Sequence, residues 1–403
     1  MTPGQRITAF LGLRRSLVGL LATVVLVGLG ERMADRFLPD YLLDLGGGVL
    51  AIGLLAGFRN LATACYSLPG GYLSERLGTK RSLFVFNLVS IAGYLLVVLV
   101  PRWPAVIGGA ILFLSWSAIS LPATMELLAQ ALPTTKRTMG VSLVSLVRRV
   151  PMALGPVAGG VFITYFGLQT GIRLSFGVAL VMALVAIVMQ QALIADDRAA
   201  GTAAPPRSSA LTVLREMPPG LRNLLISDVL IRFCEQIPDA FVVVWCTRAI
   251  ARPVTELQFG YLSAIEMATA VLCYIPVAHL ADRVGKKPFV VLTFIFFALF
   301  PLALWRCQSF WPLVGAFVLR GLKEFGEPTR KALILDLAPE NRKAMTFGVY
   351  YLIRDVIVSV AAFGGAFLWM KGPAVNLLVA SACGLAGTIW FAWRGKDVGR
   401  PRA

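Results

Sequence analysis

The chain has 403 residues, of which 57% are hydrophobic and only 15% charged, with a mean hydropathy of +0.76. A soluble domain carries about a quarter charged residues, so this composition excludes an ordinary water-soluble globule. The formal net charge of +17 would suit a nucleic-acid binder, but the basic residues gather in turns on one side of a series of apolar runs, which explains the charge without nucleic acid.

Crossing a bilayer core takes about 20 residues of helix. Apolar runs of that order, separated by turn signals, predict twelve helices, with cores at 16–43, 49–74, 82–100, 105–130, 139–165, 172–194, 222–247, 256–281, 288–305, 311–337, 346–369 and 374–393. The first follows Arg14 and Arg15, yet no A-x-A-like cleavage site succeeds it, so it reads as an uncleaved span. Between the sixth and seventh, the Ala-, Pro-, Ser- and Gly-rich stretch 196–220 predicts a linker joining residues 1–195 to residues 222–403. Twenty-one lysines and arginines fall on the side of both termini and this linker, against six on the other. The positive-inside rule then places termini and linker in the cytoplasm.

Six scattered cysteines without a CxxC, and a single histidine, predict neither a disulfide framework nor a metal site. No phosphate-binding loop, GxSxG or HExxH occurs, so no cofactor and no enzyme activity are expected.

The chain repeats itself. "GGYLSERLGTKRSL" (70–83) returns as "VAHLADRVGKKPFV" (277–290) at an offset of 207, and "LPTTKRTMG" (132–140) returns as "APENRKAMTFG" (338–348). At offset 206, Arg148 falls on Arg354 and Gly159 on Gly365; Glu31-xxx-Asp35 answers Glu235-xxx-Asp239. The two sets of six helices are therefore parallel repeats, an arrangement found in several transporter folds. The first phrase resembles the signature of the major facilitator superfamily, with Gly71, Glu75, Arg76, Gly78, Lys80 and Arg81 at the motif positions. The second copy keeps Asp282, Arg283, Gly285 and Lys287 but has Ala278 and Pro288 at two others. "LGPVAGG" (154–160) resembles the GPxxGG motif of the family's fifth helix, often found in exporters, with Pro151 where an upstream glycine would stand.

The resemblance covers about residues 16–393. It implies an all-α membrane protein with two pseudo-symmetric six-helix halves, acting as a secondary transporter by alternating access. Physically, glycines 71 and 78 permit close helix approach. Glu75 with the neighbouring cations could latch the cytoplasmic rim in one state, although a basic turn that merely sets topology would need the cations alone.

Charges within the spans carry more information. The third, ninth and twelfth predicted helices have no Asp, Glu, Lys or Arg in their cores and the sixth has only Arg173, its second residue, while the other eight each have at least one. A charge facing lipid costs at least about 2.5–3.5 kcal/mol, so the charged helices should face a wet or protein-lined interior. Glu31 and Asp35 lie one turn apart with Arg32 and Arg36 beside them, and Arg232, Glu235 and Asp239 share a face. Paired carboxylates in low dielectric disfavour joint ionisation, which suits proton coupling; equally, the arginines could hold them permanently charged.

Arg59 and Glu266 correspond at offset 207 as opposite charges in opposite halves. Arg148 and Arg149 correspond to Arg354 and Asp355, a net basic layer suited to an anionic or zwitterionic substrate. In the tenth helix, "LRGLKEFGEPTRK" sets Arg320, Lys323, Glu324 and Glu327 at i,i+4 spacings around a loosened Gly326–Pro328. The ladder reads mostly as self-neutralising, with the break serving as a gate.

The favoured function is proton-coupled export of a small polar or amphipathic organic solute by a monomer in the bacterial inner membrane. Uptake of an organic anion is the alternative, and a lipid flippase or a non-transporting sensor are further ones. The partners are a small solute, protons and the lipid bilayer.

Overall fold

The computed structural model describes residues 15–77, 79–116, 137–194, 215–324, 326–339 and 343–396, and among these the regular structure is helical throughout, with no strand. The first helices are α1 (Arg15–Asp35), α2 (Leu38–Asp44), α3 (Gly48–Leu77), α4 (Thr79–Leu99), α5 (Trp103–Trp116), α6 (Arg137–Phe166) and α7 (Leu168–Leu193). After the linker come α8 (Pro219–Asp239), α9 (Glu256–Val284), α10 (Lys287–Arg306), α11 (Phe310–Leu322), α12 (Glu327–Leu337), α13 (Lys343–Lys371) and α14 (Pro373–Arg394). Among the described residues, six segments are long and apolar enough to cross a membrane: Lys80–Leu99, Leu146–Phe166, Leu168–Leu193, Lys287–Arg306, Thr346–Lys371 and Pro373–Arg394.

These helices are apolar on both faces, which is why they belong in lipid. On α4 the buried positions are Leu83, Phe86, Asn87, Ser90, Tyr94 and Val97, a helical stripe, while Val85, Leu88, Leu95 and Leu99 point outward. On α7, Ile172, Phe176, Ala179, Ala183 and Ala186 face in, and Leu174, Val181, Leu184 and Val188 face out. A soluble helix would present polar groups on its outer face. In each crossing segment between 33% and 44% of the window is buried by protein, so the rest of its surface requires hydrocarbon.

Two compact units divide the chain: Met1–Gly47 with Ala62–Ala204, and Gly48–Leu61 with Pro205–Ala403. Within the first, α1 packs on α6 and α7, and α4 on α7; within the second, α8 packs on α13 and α14, and α10 on α14. The repeat read from sequence is thus also a repeat of packing. Both units turn on a glycine in the left-handed region between their last two helices, Gly167 (φ 78°) and Gly372 (φ 143°).

Three predicted spans are interrupted. The span 16–43 splits into α1 and α2 at Arg36–Phe37, where Phe37 N–H bonds back to Ala34 O at 2.9 Å and Pro39 opens the next segment. The span 222–247 ends early at Asp239; Phe241 N–H bonds Pro238 O at 2.7 Å, and a π turn follows at Trp245–Ala249. The residues match at an offset of 204, so one kink is written twice. The tenth span divides into α11 and α12 around Lys323–Gly326, with Pro328 in the first turn of α12, where its missing N–H is no loss.

Candidate functional site

The acid pairs of the two repeats occupy the last turn of α1 and of α8. Backbone packing holds both turns in the same way. A Cβ on Gly159 of α6 would strike the Met33 carbonyl, and one on Gly365 of α13 would strike the Ile237 carbonyl. Gly155 is equally tight, with its Cβ position 2.5 Å from Arg32 Cβ. Gly155, which opens the GPxxGG-like stretch, and Gly159, the first of its closing pair, therefore seat directly against the acid-bearing turn of α1. Pro151 packs on Gly28, its Cγ 3.2 Å from where a Cβ would be. In the second unit, the Asn376 amide of α14 donates to Ile237 O at 3.2 Å and Gly365 O at 2.8 Å, clasping the crossing.

In the first unit Glu31 is fully buried and Asp35 is 3% exposed. Arg32 Nη1 donates to Asp35 Oδ2 at 2.9 Å. Arg148 on α6 is half-buried with Glu31 and Arg32 as its electrostatic neighbours, and Arg149 beside it is also half-buried.

The second unit surrounds its acids with far more charge. Four rungs join α8 to α11 and α12: Asp228 with Arg330, Arg232 with Glu327 at 3.5 Å, Glu235 with Lys323 at 2.6 Å, and Asp239 with Arg320 at 2.6 Å. Numbering rises by four, three and four along α8 and falls by three, four and three along its partner, so this is an antiparallel charge zipper. It runs across the helix break.

Lateral bonds stitch the rungs together. Arg232 Nη1 meets Glu235 at 2.5 Å, Arg330 also holds Glu327, and Lys331 reaches Glu327 at 3.4 Å. Arg320 bonds Glu266 of α9 at 3.2 Å. Helix α10, uncharged between Pro288 and Trp305, supplies aromatic rings: Lys323 Nζ lies 5.0 Å and the Arg232 guanidinium 5.9 Å from the Phe297 centroid, and Arg320 lies 5.2 Å from Phe300.

The zipper's inner end is sealed. Asp228 is fully buried and Arg330 is 1% exposed, and Tyr350 O–H donates to Asp228 Oδ2 at 3.1 Å. Arg354, 6% exposed, reaches Asp228 at 3.4 Å and Asp355 at 2.7 Å and lies 4.1 Å from the Tyr351 centroid.

The structure thus brings Arg232, Glu235, Asp239, Glu266, Arg320, Lys323, Glu327, Arg354 and Asp355 into one network, and Glu31, Arg32, Asp35 and Arg148 into another. The within-helix ladder expected for the tenth span keeps its Glu327–Lys331 step, while Arg320 and Lys323 reach across to α8. Glu324 stands in the break itself, half-buried. Arg59 sits on the part of α3 grouped with the second unit, next to Asn60, whose amide donates to Gln236 Oε1 at 2.9 Å. Glu266, the residue paired with Arg59 by the repeat, is held by Arg320 of its own unit.

Sequence reasoning missed Asp228 and Arg330, the most deeply buried rung. The available signal was the matching three-and-four spacing of opposite charges when α8 is read forward and the tenth span backward.

Of the rim motifs, Gly78 lies outside the described residues, as do the side chains of Glu75, Arg76, Asp282 and Arg283; Gly71 lies on α3. Lys80 Nζ donates to Gln191 O at 2.9 Å and Gln190 donates to Lys80 O at 2.7 Å, fastening the start of α4 to the end of α7. Arg81 is exposed and Lys287 half-buried. Gly285 turns with φ 112°, a conformation that suits glycine. Beside it, Lys286 pairs with Asp336 of α12.

Long apolar helices enclosing buried charge in two repeated units define a polytopic α-helical membrane protein. Known proteins make the class particular. The profile of the Major Facilitator Superfamily matches residues 20–251 and 240–403, and the chain belongs to that family. It is 21% identical over 394 residues to an uncharacterised MFS-type transporter of Methanocaldococcus jannaschii, covering 89% of each chain. It is 25% identical over 407 residues to the inner membrane transport protein YajR of Escherichia coli, covering 97% of this chain and 83% of that protein. Among solved structures, a mutant of the nucleoside transporter NupG has the same fold, with a TM-score of 0.79 at 11% identity over 94% of this chain and all of that one.

Proposed function

We propose that the chain is a proton-coupled exporter of a small polar or amphipathic organic solute, working by alternating access of residues 1–195 and 222–403, two six-helix halves. The observation that carries this reading is the Glu31–Asp35 pair, nearly or wholly buried and one turn apart on α1, with Arg32 on Asp35 and Arg148 near Glu31. Loading a proton there changes the charge of the turn on which Gly155 and Gly159 seat, which links protonation to packing. Glu235 and Asp239 take a lesser part, because Lys323 and Arg320 sit on them at 2.6 Å. Export is preferred to anion uptake because Arg354, one of the three arginines that favoured an anion, is occupied by Asp228 and Asp355.

The two rim turns, 71–81 and 282–287, serve as latches. The basic turns place both termini in the cytoplasm, and the name of the Escherichia coli relative supports a bacterial inner membrane.

The test is the full chain reconstituted in vesicles with an imposed pH gradient of either sign. A trapped pH dye follows proton flux as amphipathic cations, zwitterions and anions are added. Solute entry against proton exit is expected, and Glu31→Gln should abolish it while leaving insertion intact. Unchanged flux in Glu31→Gln would remove that residue from the mechanism.

A further inference from the structure

Three single turns of helix converge inside the second unit. Glu235 and Asp239 come from α8, Phe297 and Phe300 from α10, and Arg320 and Lys323 from the end of α11 and the break after it. Between them lies a cavity of about 10 Å³, enough for one water-sized group. Arg320 and Lys323 are buried, whereas the Asp239 side chain is 37% exposed, so the cavity opens on the Asp239 side. Every contributor belongs to the second unit, which makes the cavity complete within residues 222–403.

The donors around this space outnumber the acceptors. Glu235 accepts from Lys323 on Oε1 and from Arg232 on Oε2. Arg320 gives Nη2 to Asp239 Oδ1 and turns Nε toward Glu266 at 3.2 Å, yet its buried Nη1 has no hydrogen-bond partner among the described residues. Lys323 Nζ carries three protons and bonds Glu235 with one of them. The Cys234 thiol, also on the cavity wall, donates to Phe297 O at 3.2 Å. A buried N–H left unbonded is costly, and native interiors seldom keep one. The space therefore calls for an acceptor.

Charge decides which acceptor. The two cations already face Glu235, Asp239 and Glu266, so an entering carboxylate or phosphate would meet three fixed negative charges in a medium that screens poorly. An ammonium would bring further donors to a donor-rich wall. A neutral oxygen avoids both penalties. We propose that the cavity is a solute subsite for an uncharged carbonyl oxygen, held by Arg320 Nη1 and Lys323 Nζ, with the rest of the solute leaving on the Asp239 side. Phe297 and Phe300, which cover the two cations at 5.0 and 5.2 Å, take the adjoining carbons and keep water out. The inference rests on the reading of the chain as a carrier of small polar or amphipathic solutes, and narrows that class to amides and ketones.

Benzamide, benzoate and benzylammonium test it, since they present one ring with a neutral carbonyl, an anion and a cation. Each is titrated by saturation-transfer NMR into the full chain in lipid nanodiscs, with no gradient imposed. Benzamide is expected to bind about tenfold more tightly than the other two, the scale of one hydrogen bond to a charged group. Arg320→Lys keeps the charge, removes Nη1, and should weaken benzamide about tenfold. Val242→Ile adds a methyl to the cavity wall without touching a charge, and should weaken it as much. Lys331→Ala, elsewhere on the zipper, should leave binding unchanged. Equal binding of the three probes, no binding of any, indifference to either cavity variant, or an equal loss in Lys331→Ala would each overturn the proposal. Where Arg320→Lys fails to insert, Val242→Ile decides alone. Binding at equilibrium is independent of proton coupling. If benzamide behaves as expected while transport ignores the pH gradient, the coupling reading fails and the subsite stands. If pH-driven export occurs without a preference for benzamide, the reverse holds.

Discussion

The last turn of α1 and the last turn of α8 share a backbone and differ in company. Each carries Glu-xxx-Asp, each stops at the second acid with the same kinked bond, and each takes a glycine against the carbonyl two residues beyond its glutamate. Around α8 the acids meet Arg320 of α11 and Lys323 of the break at 2.6 Å, in a network closed by Asp228 and Arg330. Around α1, Arg32 holds Asp35 at 2.9 Å and Arg148 lies near Glu31. The repeated part is the packing device; the chemistry diverges through the side chains that adjacent helices present. A duplicated fold can in this way carry two different charge environments on one packing device.

The contrast breaks most readily at Asp228. Asp228→Ala would strand Arg330 and Arg354 in an apolar core, a loss of about 3–5 kcal/mol for an uncompensated buried charge. Thermal unfolding in detergent should show it as a large fall in midpoint, whereas Glu31→Gln should stay near wild type. Equal falls in the two would void the distinction between a fastened and a titratable turn.

Packing symmetry is sharpened by Gly159→Ala and Gly365→Ala, whose added methyls meet backbone carbonyls. Each is expected to cost about 1–3 kcal/mol, by similar amounts in the same unfolding assay. A silent Gly365→Ala beside a damaging Gly159→Ala would show that the twin crossings are not equivalent. The smallest effect belongs to Lys331→Ala. Its side chain is 49% exposed and its contact with Glu327 is 3.4 Å, so less than about 0.5 kcal/mol should be lost, with the zipper otherwise unaffected.

Much of this was legible in the sequence because it is periodic. Apolar runs, the offset of about 206, the acid pairs and the low charge of every third span all repeat at spacings that survive without knowledge of neighbours. The zipper was not legible in the same way, since Arg320 and Lys323 have acceptable partners within their own helix and only spatial adjacency to α8 chooses otherwise. The kinks after Asp35 and Asp239 had signals in Pro39 and Pro238, but the surrounding apolar pattern continues through both and hides them.

The order of signs along the zipper has a mechanical consequence. On α8 the rungs read acid, base, acid, acid, and on the facing segments base, acid, base, base. Sliding one helix past the other by a single turn would set Glu327 against Asp228 or Glu235, and Arg232 against Lys323 or Arg330. Either slip confronts like charges in a medium that screens poorly. This register lock leaves α8, α11 and α12 able to travel together as one rigid block, and penalises any stroke that requires them to shear.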